Sequence, residues 1–121
     1  MDTAKPFIEL LESQKKDCLS KASGLAQDNR QDEADMQKIR ANVFGIFTAL
    51  SRTAKERFPG NQATFIQEQI TKISQTWEES LLTAESHGDP VNTMKERIKL
   101  DAITEISELY ARITEDMDDG R

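Results

Sequence analysis

Four segments of this chain repeat apolar residues at alternating spacings of three and four, and three short breaks separate them. This spacing places apolar side chains along one face of an α-helix and does not fit the two-residue alternation of a half-buried strand. The breaks are the polar run 27–32, Pro59-Gly60-Asn61 and Gly88-Asp89-Pro90. The last two combine residues that end helices with residues that begin them. The pattern therefore predicts four long helices joined by short loops.

Short loops between long helices favour antiparallel neighbours. We therefore predict an all-α fold, an up-down-up-down four-helix bundle that forms a single helical domain over residues 1–121. A dimer of long helical hairpins is an alternative, because the same apolar faces could pair between chains. Residues 116–121 are acidic and lie at the negative end of the last helix dipole. We expect them to form a frayed C-terminal tail.

Composition limits the classes of partner and location. The formal net charge is −6, and no basic stripe of the kind that binds nucleic acid is evident. The longest near-apolar run, residues 41–50, is far shorter than a membrane span. The first residues also lack the order of a signal peptide. We expect a cytoplasmic protein with no nucleic-acid and no membrane partner.

No constellation of residues points to catalysis. Cys18 is the only cysteine and His87 the only histidine, so neither a thiolate zinc site nor the Glu-x-x-His pairs of a di-metal bundle can be built. Cys18 lies on an apolar helical stripe, and His87 precedes Gly88 at a predicted helix end, so both have ordinary structural interpretations. No phosphate-binding loop or other catalytic motif is present. We predict no enzymatic activity, no cofactor and no metal site.

A mid-bundle cleft is one functional hypothesis. Counting outward from the predicted turns brings polar residues of the first helix to the height of two aromatic residues and a glycine, and it places Trp77 level with residues 98–99. An apolar lining with a few polar groups is typical of a small-molecule site. The residues predicted to line this cleft are Gln14, Lys15, Phe44, Gly45 and Trp77. The structural alternative is that Gly45 simply makes room for Trp77, with Gln14 accepting a hydrogen bond from the indole.

The broad apolar face of the second helix suggests a different function. Phe44 and Phe47 widen its apolar stripe. In a monomeric bundle one helix can be central enough to need such a face; alternatively, Phe44 and Phe47 form an outer patch that binds another chain. This hypothesis describes an acidic, non-catalytic bundle that mediates protein–protein interaction or self-association as a homodimer. The alternative is a sensor domain that binds a small molecule near Trp77.

Overall fold

A computed structural model of the protein describes the backbone of residues 2–119 and the side chains of residues 2–116. It contains the helices α1 (Ala4–Gln27), α2 (Gln31–Arg57), α3 (Gln62–Ser86) and α4 (Pro90–Asp119). Residues 120 and 121 of the predicted acidic tail lie outside the described residues, as do the side chains from residue 117 onward. The described backbone of α4 continues through Asp119.

The helices form the predicted antiparallel bundle within one chain. α1 packs along most of α2, and α3 packs on α4. The two hairpins meet chiefly through α2 and α4, whereas α1 and α3 hardly touch. α2 is therefore the central helix, with neighbours on three sides. We call the end that carries the turns at residues 28–30 and 87–89 the turn end, and the opposite end the terminal end.

The turns follow from local chemistry. Gly88 adopts a positive φ of 63°, as expected of the residue that ends α3, and Asn29 does the same in the first turn with a φ of 62°. Asp89 caps α4 by accepting hydrogen bonds from the backbone and the side-chain amide of Asn92. These bonds stabilise the carboxylate and lower the pKa of Asp89 below its ordinary value of 3.8. At the start of α2, Arg30 occupies the N-cap position and its side chain makes no capping hydrogen bond.

Small residues bring α1 and α2 close together. Ala22 of α1 and Ala34 and Ala41 of α2 are buried. The two α2 alanines lie on the side of Gly45, which meets Lys15 of α1, and their short side chains let the two backbones approach. The buried face of α2 is centred on Phe44, whereas Ile46, a member of its apolar stripe, is exposed. The larger core side chains are Phe7, Leu11, Phe44, Phe47, Ile66, Ile103, Ile106 and Tyr110.

Polar and aromatic contacts tie the terminal end together. The hydroxyl groups of Thr3 and Tyr110 lie 2.8 Å apart in a buried hydrogen bond, and the backbone N–H of Ala4 donates to Gln62 Oε1 over 3.1 Å. The rings of Phe7 and Tyr110 are 4.7 Å apart between centroids. These contacts join the start of α1 to the start of α3 and to the C-terminal half of α4.

Candidate functional site

The residues predicted to line a mid-bundle cleft separate into two groups. Lys15 and Gly45 do meet, since a Cβ added to Gly45 would lie 3.2 Å from Lys15 Nζ. Phe44 is completely buried, so it cannot line a cleft open to solvent. Trp77 belongs to the other hairpin, where it is half-buried against the core. Neither the groove of about 560 Å³ nor the groove of about 520 Å³ is lined by both Lys15 and Trp77, so the cleft stays a prediction.

Phe44 and Phe47 do not form an outer patch in the folded chain. Both side chains are buried, with exposed fractions of 0% and 1%. The reason is the central position of α2, which places α1, α3 and α4 around it. A helix with three neighbours needs a broad apolar face for packing alone. The apolar face of α2 is broad because α2 has a central position in the bundle, and its breadth does not indicate a docking surface.

Trp77 takes part in a cation–π contact. Lys99 Nζ lies 4.6 Å from the centroid of its ring and 3.1 Å from Glu96 Oε1. The heights counted from the sequence did pair Trp77 with residues 98–99, and this contact agrees with that pairing. The other carboxylate oxygen of Glu96 is buried and has no hydrogen-bond partner among the described residues. The contacts among Trp77, Lys99 and Glu96 link α3 to α4, and they restrain the side chains of Lys99 and Glu96.

A polar groove of about 560 Å³ runs between α3 and α4 toward the turn end. Its lining includes Glu79, Glu96 and His87, together with the hydroxyl groups of Ser80 and Thr83. In the part of the chain whose side chains are described, no hydrogen bond joins the imidazole of His87 to either hydroxyl. Cys18 is buried on α1 and does not line this groove.

Exposed large apolar side chains occur at several places on the molecule, and two of them, Val91 and Met94, lie close together in sequence near the turn end of α4. Arg40 of α2 pairs with Glu105 of α4 at 2.8 Å, which identifies the face of α4 that is turned toward α2. Val91 and Ile98 precede Glu105 by fourteen and seven residues and so lie on the same face. Met94 is three residues from Val91, on the same line. On α2, Met36 lies one turn before Arg40 and continues the corresponding face.

Along this face of α4, the exposed fraction of the side chains rises steeply toward the turn end. Ala102 is completely buried and Ile98 is 8% exposed, whereas Met94 is 46% and Val91 56% exposed. Met36 on α2 is 36% exposed. We call Val91 and Met94 the turn-end patch. The apolar spacing alone could not predict this patch, because Val91 and Met94 continue the same apolar stripe as the buried residues of α4. The spacing does not show at which residue the neighbouring helices stop covering the stripe.

Among the described residues, no helix is both long enough and apolar enough to cross a membrane, and no three His, Cys, Asp or Glu side chains are grouped to hold a metal ion. Comparisons with protein-family models, with curated proteins and with solved structures find no match for this chain. The turn-end patch is the surface feature of the described residues that bears most directly on function.

Proposed function

We propose that this protein is a non-catalytic interaction module that binds another protein chain through the turn-end patch. One observation carries the proposal: Met94 and Val91 are about half exposed on the same helical face that buries Ile98 and Ala102. Large apolar side chains grouped on a surface are typical of sites that another protein covers. The bound chain is either a different protein or a second copy of this one.

The surroundings of the patch fit a protein partner better than a small molecule. The patch lies on one face of α4, where apolar side chains three residues apart offer anchors at helical spacing to a partner helix. Methionine adapts its shape to different partners, and one of the two patch residues is a methionine. The sensor hypothesis, by contrast, loses the buried Phe44 from its proposed cleft. We also propose a cytoplasmic location, which the single cysteine fits because it needs no disulfide partner.

Site-specific photo-crosslinking tests the proposal. A photoreactive amino acid replaces Met94 in the full chain, and a matched variant carries it at Glu68, an exposed position of α3. We expect a protein adduct from position 94 in the cells that make the protein, with little adduct from position 68. Mass spectrometry of the adduct distinguishes a second copy from a different protein.

A blocking substitution completes the test. Val91→Glu in the Met94 crosslinking variant places a charge in the patch, and because Val91 is 56% exposed the fold should tolerate it. We expect the adduct to fall at least about tenfold, which corresponds to about 1.4 kcal/mol of binding free energy, while the helical circular dichroism stays unchanged. Equal adducts at positions 94 and 68, or no adduct at position 94, would contradict the proposal.

A further inference from the structure

The sulfur-containing side chains of this protein differ widely in their access to solvent. Among the side chains that the structure describes, Met94 is 46% exposed and Met36 is 36% exposed, whereas Cys18 is 3% exposed. Oxidation of a side chain by a dissolved peroxide depends on exposure, and a cysteine must in addition ionise to its thiolate. The fold therefore shields the thiol and offers thioethers to an oxidant.

Met94 is also one of the two residues of the turn-end patch. Val91 precedes it by three residues and Ile98 follows it by four, so all three lie on one face of α4. Ile98 is only 8% exposed, whereas Met94 keeps nearly half of its surface in contact with solvent. A chemical change at Met94 therefore alters the surface of the patch and leaves the core packing of the bundle in place.

Arg97 lies where it can hold an oxidised Met94 side chain. It follows Met94 by three residues, which makes the two side chains neighbours on the surface of α4. The Arg97 side chain is 63% exposed, and its ion pair with Glu85 is long, at 3.7 Å. The guanidinium group has five N–H donors, and the oxygen of a sulfoxide accepts hydrogen bonds much better than a thioether sulfur does. Arg97 thus stabilises the sulfoxide on the free surface of the protein.

We propose that Met94 is a reversible redox switch for docking at the turn-end patch, an inference that rests on the proposed function of this patch. An electron pair of the Met94 sulfur attacks one oxygen of hydrogen peroxide, the O–O bond breaks, and the second oxygen leaves as water. The sulfur is oxidised to a sulfoxide and the peroxide is reduced. Two thiols of a sulfoxide reductase reverse the step, because they form a disulfide while the oxygen leaves as water.

Oxidation weakens docking because it makes an apolar anchor polar. A partner that covers the patch must remove water from the sulfoxide oxygen, and a polar group that is buried without a matching donor costs free energy. The free chain pays no such cost, since Met94 stays in solvent there. The sulfoxide therefore favours the unbound form of the protein.

The reactivity is tested on the full chain with hydrogen peroxide. Peptide mass spectrometry follows the sulfoxide at Met94, and the oxidation of Cys18 is followed in the same samples. We expect Met94 to react within about tenfold of its own rate in urea, and Cys18 to react at least about 100-fold more slowly than in urea, because only the thiol needs an opening of the fold. Loss of helical circular dichroism as the sulfoxide forms, or a Met94 as protected as Cys18, would overturn the proposal.

Docking is tested by photo-crosslinking from Val91, which leaves Met94 free to react. The variant is oxidised, freed of peroxide and added to an extract of the cells that make the protein. We expect oxidation to lower the adduct at least about tenfold, and a sulfoxide reductase to restore it. Met94→Leu is the matched control, because it keeps an apolar side chain that peroxide does not oxidise, and its adduct should survive the treatment.

The outcomes separate the switch from the patch on which it acts. Absence of an adduct from the untreated chain would contradict the proposed function, and the switch with it. An adduct that is equal before and after oxidation would overturn the switch alone. Equal losses in the Met94 chain and in Met94→Leu would also overturn it, because another oxidised residue would then be responsible.

Discussion

Ser51 is a polar residue in a place that offers its hydroxyl no partner. The side chain is completely buried on α2, and Ser51 Oγ has no hydrogen bond among the described residues. A buried polar group without a partner costs about 1–3 kcal/mol, and alanine is also the better helix former. We expect Ser51→Ala to raise the free energy of unfolding by about 1 kcal/mol, measured by urea denaturation.

Thr48 supplies the control for this substitution. It is also buried on α2, but its hydroxyl donates to the Phe44 carbonyl at 2.9 Å. Thr48→Ala removes a satisfied hydroxyl and a packed methyl group, so it should lower stability. A loss of stability in Ser51→Ala would show that this hydroxyl has a partner after all, such as a buried water.

Tyr110 is the only tyrosine, so its ionisation can be followed alone by absorbance near 295 nm. Burial raises its pKa above the ordinary value of 10.0, although the hydrogen bond with Thr3 offsets part of the rise. Because the pKa is higher in the folded state than in the unfolded state, the neutral ring contributes stability below about pH 10. That contribution is lost as the pH rises through the folded pKa.

We expect tyrosinate to form in the native protein at higher pH than in the urea-unfolded chain. Tyr110→Phe removes this part of the alkaline loss of stability. At pH 7 the same substitution should lower the free energy of unfolding by about 1 kcal/mol, because the Thr3 hydroxyl loses its partner. Coincident titration of the folded and unfolded chains would show that Tyr110 is not buried.

At the scale of the helices, two glycines lie inside helical segments without an evident conformational need. Gly24 of α1 has open space where a Cβ would stand, and Gly45 of α2 faces the flexible end of Lys15. Glycine costs about 1 kcal/mol relative to alanine in a helix interior. We expect Gly24→Ala to raise the free energy of unfolding by up to that amount, and Gly45→Ala to raise it by the same amount or less, since Lys15 must shift slightly.

Thermal and urea denaturation of the two alanine variants measure this effect, with Gly24→Ala as the reference for an unobstructed site. A destabilising Gly45→Ala would show that Lys15 is held firmly against the helix. The sequence hypothesis that Gly45 makes room for Trp77 is wrong here, because the side chain that approaches it belongs to Lys15.

Helix α2 shows which features of a helix could be predicted from the sequence and which could not. Its existence and its approximate limits followed from apolar spacing and from the break at Pro59-Gly60. Its buried face did not, because the apolar residue Ile46 is exposed, whereas the small residues Ala34, Ala41 and Ser51 are buried. Small residues contribute little to a hydrophobic pattern. Ala34 and Ala41 matter in the structure because they allow α1 to approach.

At the scale of the whole molecule, burial predicts unequal stability along α4. Ile106 is completely buried at the centre of the bundle, and Met94 is 46% exposed at its turn end. We expect Ile106→Ala to lower the free energy of unfolding by about 2–5 kcal/mol, because it removes buried methyl groups and leaves a cavity. Met94→Ala should cost about 1 kcal/mol or less. Chemical denaturation measures both, and similar losses at the two sites would indicate that the turn end is as well packed as the centre.

The sequence by itself determined the helices, their order and their antiparallel arrangement, because spacing, helix-ending residues and short loops act locally along the chain. It also paired the heights of Lys15 with Gly45 and of Trp77 with Lys99, since equal rise per residue sets height from a turn. Only the tertiary structure decided that Phe44 and Phe47 are core residues and that Val91 and Met94 are exposed. The physical reason is that periodicity records the direction of a side chain around its helix, whereas burial depends on whether another helix is present at that height.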